Sequence, residues 1–194
     1  MCNTCIDKSN TSSETSQCFN FTKVCEFKQL IQSVGQRLII GHKVAIAKWD
    51  TKLPIKDKKR EDQVIESMIK LSKEKYDLDN SWVKQFFRDQ IDASVSLQLN
   101  LHHDWKQVGH RPDGPTVDLK HEVRPVIDKL NTKLIQYSNQ TKELRASDEC
   151  LQLRDTLAKV VANELLMQTI DLRYFNTTLK HICKPITKQL QKND

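Results

Sequence analysis

The sequence predicts an all-α fold, a single-domain helical bundle of about six helices. Only 4 Gly and 5 Pro occur in 194 residues, too few turn-formers for a strand-and-turn architecture of this size. Apolar residues recur at helical spacing in several long stretches. No stretch shows the alternation that a half-buried strand requires, and no internal repeat is visible. The length is enough for one domain with a substantial core.

Helices are expected at about 24–49, 58–76, 79–106, 117–143, 148–170 and 171–184. In the first, Phe27, Leu30, Ile31, Val34 and Leu38 follow the helix period. Pro54 stops it, and Asp57 is a fitting N-cap for the second, with Arg60 and Glu61 in the first turn. Val64, Met68 and Leu71 give the second helix an apolar face, as do Val83, Phe86, Phe87, Ile91 and Val95 for the third. The segment from Gly109 to Pro115 is the obvious break, a loop before the fourth helix. Residues 1–25 read as a cysteine-containing appendage, and residues 26–194 as the helical domain.

Several basic side chains interrupt this apolar pattern. Arg37 and Lys48 differ by 11 positions, so on one helix they return to within about 20° of the same face, roughly 16 Å apart along the axis. Long cationic side chains at that spacing can converge on a small anion lying between them. Gly41 clears space there, and Val44, Ala45 and Trp49 are expected to form an apolar wall. Arg60 can point back toward the first helix. Ser94 and Gln98 are four residues apart and share a helix face that Ile91, Val95 and Leu101 make otherwise apolar. Taken alone, these residues also fit solvated charges on amphipathic helices and an ordinary buried amide.

Read together, the residues resemble a known family. Arg37, the run Val44-Ala45-Ile46-Ala47-Lys48-Trp49, Leu53-Pro54-Ile55, and Asp57 with Arg60-Glu61 look like the all-helical AroQ-type chorismate mutases. So do the segment from Phe86 to Ser94 with Gln98, and Arg124-Pro125-Val126-Ile127-Asp128-Lys129-Leu130-Asn131. The closest pattern is that of the secreted gamma subclass, in which one chain supplies the whole site. The resemblance implies conversion of chorismate to prephenate by a concerted intramolecular rearrangement, in which one C–O bond breaks as one C–C bond forms. No cofactor and no metal are called for. Such a protein restricts the substrate's conformation and stabilises charge on the ether oxygen. By the same resemblance, Arg37 and Arg124 clamp carboxylates and Arg60 supplies a third cation. Lys48 contacts a carboxylate and the ether oxygen, and Gln98 donates to that oxygen. Asp57, Glu61 and Ser94 are supporting substrate-binding positions.

The alternative reading is a non-catalytic secreted effector, or an anion-binding protein, that retains the scaffold. The net charge of +6 suits the attraction of a dianion such as chorismate or prephenate. No base-reading module or aromatic ladder suggests nucleic acid. No apolar run is long enough to span a membrane. A homodimer is compatible with the sequence.

Six cysteines point to an oxidising compartment. The resemblance implies a disulfide between Cys150 and Cys183. Cys2, Cys5, Cys18 and Cys25 are read as two further disulfides in preference to a zinc site, with their pairing open. The expected location is secreted or periplasmic, with delivery into a host cell as an extension, and the chain reads as a mature form lacking its signal. His102-His103 invites a metal reading, but adjacent helical residues face about 100° apart, so both are assigned to surface or rim.

Overall fold

The computed structural model describes residues 12–183, with side chains from residue 21 onward. The described residues form helices and connecting turns with no strand. In chain order these are α1 (Ser12–Thr51), α2 (Lys58–Lys75), α3 (Asn80–Val108), a π-helical turn (Leu119–Val123), α4 (Arg124–Gln140), a 3-10 turn (Leu144–Ala146), α5 (Cys150–Glu164) and α6 (Thr169–Thr178).

Helix α1 is the axis of the bundle and packs against α3, α4, α5 and α6. Phe27, Leu30, Ile31, Val34 and Leu38 are buried along one face of it, against Phe86, Phe87, Leu97, Leu134, Ile135 and Phe175. Each such side chain contributes about 1.5–3 kcal/mol on leaving water, so this seam is the main source of cohesion. Gly35 lets the α5–α6 turn approach: a Cβ there would lie 2.7 Å from both Leu165 Cδ1 and Met167 Cε.

Helix α1 starts well before the expected residue 24. Residues 12–23 contain no glycine or proline, so nothing in the local backbone chemistry stops the helix. At its other end Lys52 takes a left-handed conformation (φ 57°) and the Leu53 N–H donates to the Lys48 carbonyl. That bond pattern closes a Schellman-type terminus, and Pro54 then bars continuation. Asp57 caps α2 by accepting from the Arg60 N–H at 3.1 Å. Gly109, with φ 83°, ends α3.

The expected helix at 117–143 is divided. Pro125 has no N–H to offer residue 121, and its ring crowds that carbonyl. The preceding turn widens instead, and the Arg124 N–H donates to the Leu119 carbonyl, five residues back. The last two helices are shorter than expected. Leu166 adopts φ 50° and separates α5 from α6, whose N-terminus is closed by a reciprocal capping box between Gln168 and Asp171.

A disulfide joins Cys150 at the start of α5 to Cys183. Cys25 is also disulfide-bonded. The pairing of Cys2, Cys5 and Cys18 lies outside the described side chains. The chain just before Cys183 is held by further groups. Trp82 Nε1 donates to the His181 carbonyl, and Arg145 Nη1 donates to the Ile182 carbonyl. Arg145 is fully buried, stacks 3.8 Å from the Trp82 ring centroid and donates twice to the Ser138 carbonyl. Burial lowers its pKa to about 9, and among the described residues no carboxylate pairs with it. Backbone carbonyls and an aromatic face take the place of a counter-ion.

The Cys150–Cys183 bridge closes a loop spanning 33 residues. Replacing both cysteines by serine is expected to cost about 3 kcal/mol. Urea unfolding of that variant should show a lower midpoint with a slope equal to or steeper than wild type, because the denatured chain is freer to expand.

Candidate active site

One cavity, with about 120 Å³ of free space, lies among α1, α2, α3 and the junction of the π turn with α4. It receives Arg37 and Lys48 from α1, Arg60 and Glu61 from α2, Ser94 and Gln98 from α3, Arg124 from α4, and Asp57 from the cap of α2. All eight residues expected at a site therefore line a single cavity. The apolar lining is Val44, Ile55, Val64, Ile91, Val95, Leu119 and Ile127. A larger cleft of about 810 Å³ lies between α5 and α6, but it carries no comparable convergence of charged groups over apolar walls.

The helix period explains the placement. Residues 37, 44 and 48 fall on one face of α1, and residues 91, 94, 95 and 98 on one face of α3. Gly41 sits between those faces. A Cβ there would come within 3.2 Å of Leu97 Cδ2 and 3.3 Å of Ser94 Oγ, so glycine allows α1 and α3 to approach beside the cavity. Two residues expected in the apolar wall are elsewhere. Ala45 is buried, with its carbonyl 2.8 Å from His102 Nε2, and Trp49 packs edge-on against His102 and Trp105. Both are one position away from a cavity-lining residue, and that 100° rotation turns them toward the C-terminal end of α3. His102 is thus a packing residue, and no group of metal-ligating side chains occurs among the described residues.

Arg37 is held most tightly. It is 7% exposed, and its Nε donates to Asn131 Oδ1 at 2.8 Å while Nη1 donates to the Gln90 carbonyl at 3.2 Å. Burial lowers its pKa to about 10, with the Asp128 charge opposing the shift, so the side chain stays cationic at neutral pH. Its Nη2 has no partner among the described residues. Lys48 Nζ donates to the Ile55 carbonyl at 2.5 Å. Burial lowers its pKa, the charges of Asp57 and Glu61 oppose that shift, and Arg124 adds to it. An ammonium has three donors, so this one retains capacity for a ligand.

Arg60 Nη2 contacts both oxygens of Asp128, at 3.1 and 3.4 Å, tying α2 to α4 across the cavity. Arg124 makes no side-chain hydrogen bond or ion pair among the described residues. Gln98 Nε2 donates to the Ser94 carbonyl at 3.0 Å and lies 3.1 Å from Ser94 Oγ, while Gln98 Oε1 is buried without a partner. An orphaned carboxamide oxygen beside unsatisfied cations marks a place that expects a polar ligand.

Asn131 was not singled out by sequence reasoning as a site residue, nor was the Gln90 carbonyl. Asn131 is 1% exposed and sits four residues after Ile127, a lining residue. A buried asparagine on the apolar face of α4 is the signal that could have found it. Asn131→Ala would leave Arg37 Nε buried without its acceptor. It is expected to weaken binding of an anionic ligand about tenfold while the helical content is retained, measurable by calorimetry alongside circular dichroism.

Residues 28–99 match the family model described as chorismate mutase type II. The chain is 22% identical over 163 residues to a protein of Mycobacterium tuberculosis named secreted chorismate mutase, covering 83% of this chain and 80% of that one. It is 31% identical over 106 residues to a protein of the same name from Mycolicibacterium smegmatis, covering 55% of this chain and 58% of that one. A crystal structure of chorismate mutase from Burkholderia phymatum superposes with a TM-score of 0.79 at 28% identity, covering 84% of this chain and 99% of that one. Secreted chorismate mutase from Yersinia pestis, at 22% identity and TM-score 0.59, shares the fold over 79% of this chain and 96% of that one.

Proposed function

We propose that this chain, which belongs to the type II chorismate mutase family, converts chorismate to prephenate. The observation that carries the reading is the convergence of four cations and one carboxamide on a single half-closed cavity. The reaction needs no proton transfer and no covalent intermediate. A protein accelerates it by holding the reactive fold of the substrate and by meeting the charge that grows on the ether oxygen.

Each residue's chemistry suits a part of that task. Arg37 Nη2 and the guanidinium of Arg124 are free to take a carboxylate each, and a planar fork matches a carboxylate's two oxygens. Arg60 lies at the rim, where its pairing with Asp128 leaves further donors. Lys48 lines the cavity as a partly buried charged donor. Gln98 Nε2 carries two hydrogens, so one can stay on the Ser94 carbonyl while the other is presented to the ether oxygen in place of Ser94 Oγ. Ser94 sets the amide's direction, Asp57 fixes the start of α2, and Glu61 is the acceptor for the substrate hydroxyl. The apolar walls exclude water and strengthen these interactions.

Export follows from the same reading. A disulfide joins Cys150 to Cys183, and such bonds persist in oxidising compartments. Among the described residues no helix is long and apolar enough to cross a membrane. Work on a host's metabolites after delivery is the extension of that proposal.

Purified protein should remove the ultraviolet absorbance of chorismate with saturable kinetics. Lys48→Ala should lower kcat by at least about a hundredfold, the usual loss when one preorganised donor to developing charge is removed. A wild-type protein without turnover would leave the scaffold as a binding protein. Because Gln98 is neutral, activity should stay nearly flat from about pH 5 to about 7.5. Gln98→Glu should introduce an acid preference, since a carboxyl must be protonated to donate.

A further inference from the structure

Glu61 poses an electrostatic problem for the proposed site, and the structure contains an answer to it. A carboxylate lining a cavity built for a dianion repels its ligand unless its charge is balanced. Arg60, the adjacent cation, is engaged with Asp128. Lys48 shares the cavity with the Glu61 charge but is bonded to the Ile55 carbonyl, and the direct partner of Glu61 comes from α3. Arg88 Nη1 donates to Glu61 Oε2 at 3.0 Å, and Arg88 Nη2 donates to Asp62 Oδ1 at 3.2 Å. The other Glu61 oxygen, Oε1, accepts from the Asp57 N–H at 3.3 Å. Glu61 is thereby fixed at both oxygens, with lone pairs remaining on each. Its side chain is 18% exposed, whereas those of Asp62 and Asp92, the other acidic neighbours of Arg88, are 45% and 61% exposed. The least hydrated of the three pairs is the one that reaches the cavity, and there a charge contact counts most. Arg88 itself does not line the cavity, so it acts through Glu61.

We propose that Arg88 is a positioning residue for dianion binding, neutralising Glu61 and fixing its direction so that the cavity presents an oriented acceptor in place of a repelling charge. The inference rests on the chorismate mutase reading of the site. It separates two roles that one guanidinium could fill. A simple clasp between α2 and α3 would work through Asp62 as well as Glu61, and would be indifferent to the charge on Glu61. A positioning role works through Glu61 alone and depends on that charge.

The test is steady-state kinetics on the full chain with Arg88→Gln, Arg88→Lys, Glu61→Gln, Asp62→Asn and the double variant Arg88→Gln/Glu61→Gln, each checked for wild-type helicity. Arg88→Gln should raise KM for chorismate about tenfold, with a smaller fall in kcat. Arg88→Lys, which keeps the charge but loses the fork, should recover part of the loss. Asp62→Asn should stay within about twofold of wild type, the range expected for an exposed pair. In the double variant KM should fall back to within about threefold of Glu61→Gln alone, because the unbalanced charge is gone. A tenfold rise in KM that persists undiminished in the Glu61→Gln background would overturn the proposal, as would an Arg88→Gln enzyme with wild-type KM. If Arg88→Gln does not fold, the Lys variant carries the same comparison with and without Glu61→Gln. A wild-type protein that does not turn over chorismate would refute the functional reading itself, a result distinct from any of these.

Discussion

The site depends on keeping a guanidinium charged inside an apolar bundle. Arg37 projects from the central helix into a region that excludes most water, and burial alone would favour its neutral form. It remains a cation at neutral pH because its pKa falls only to about 10, the Asp128 charge opposing the shift, while Asn131 of α4 and the Gln90 carbonyl of α3 fix its direction by accepting hydrogen bonds from it. Those two acceptors belong to different helices. Holding the arginine therefore requires α1, α3 and α4 to be in register, and the bundle's packing and the site's electrostatics become one constraint. The Phe27–Leu38 seam supplies the cohesion that maintains the register.

Other elements of the cavity follow from that arrangement. Helix α2 crosses the opening and is tied on one side to α4 through Arg60 and Asp128, and on the other to α3 through Arg88 and Glu61. The widened turn before Pro125 sets where Arg124 enters. The donors are thus placed before any ligand arrives, and little reorganisation accompanies charge development on a bound substrate. This is the economy of a reaction that asks only for shape and field: rigid helices suffice, and no nucleophile need be activated.

Much of this was legible in the sequence because it rests on periodicity. The α-helices follow from apolar spacing and scarce glycine, and the faces that carry Arg37 with Lys48, and Ser94 with Gln98, follow from the same 3.6-residue geometry. What escaped depends on contacts between distant segments. Ala45 and Trp49 are one position from lining residues, and only packing against His102 and Trp105 decides which way they turn. Asn131 stands on the apolar face of α4, but what it binds becomes visible only when Arg37, 94 residues earlier in the chain, is placed beside it. Arg145 reads as one more surface cation in a basic chain, yet it is fully buried and holds the Ile182 carbonyl. The early start of α1 was hidden because residues 12–23 are rich in Ser and Thr, which are weak helix formers, and carry no amphipathic signal. The π turn arises from a clash that sequence reasoning recognises only as the presence of a proline.

The most direct measurement is a crystal structure with a non-reactive dianion that mimics the compact, bridged form of chorismate. The dianion should occupy the cavity between α1 and α3, with one carboxylate on Arg37, the other on Arg124, and its bridging oxygen within hydrogen-bond distance of both Lys48 Nζ and the Gln98 carboxamide. A ligand bound elsewhere, or bound there with its bridging oxygen facing the apolar wall, would contradict it.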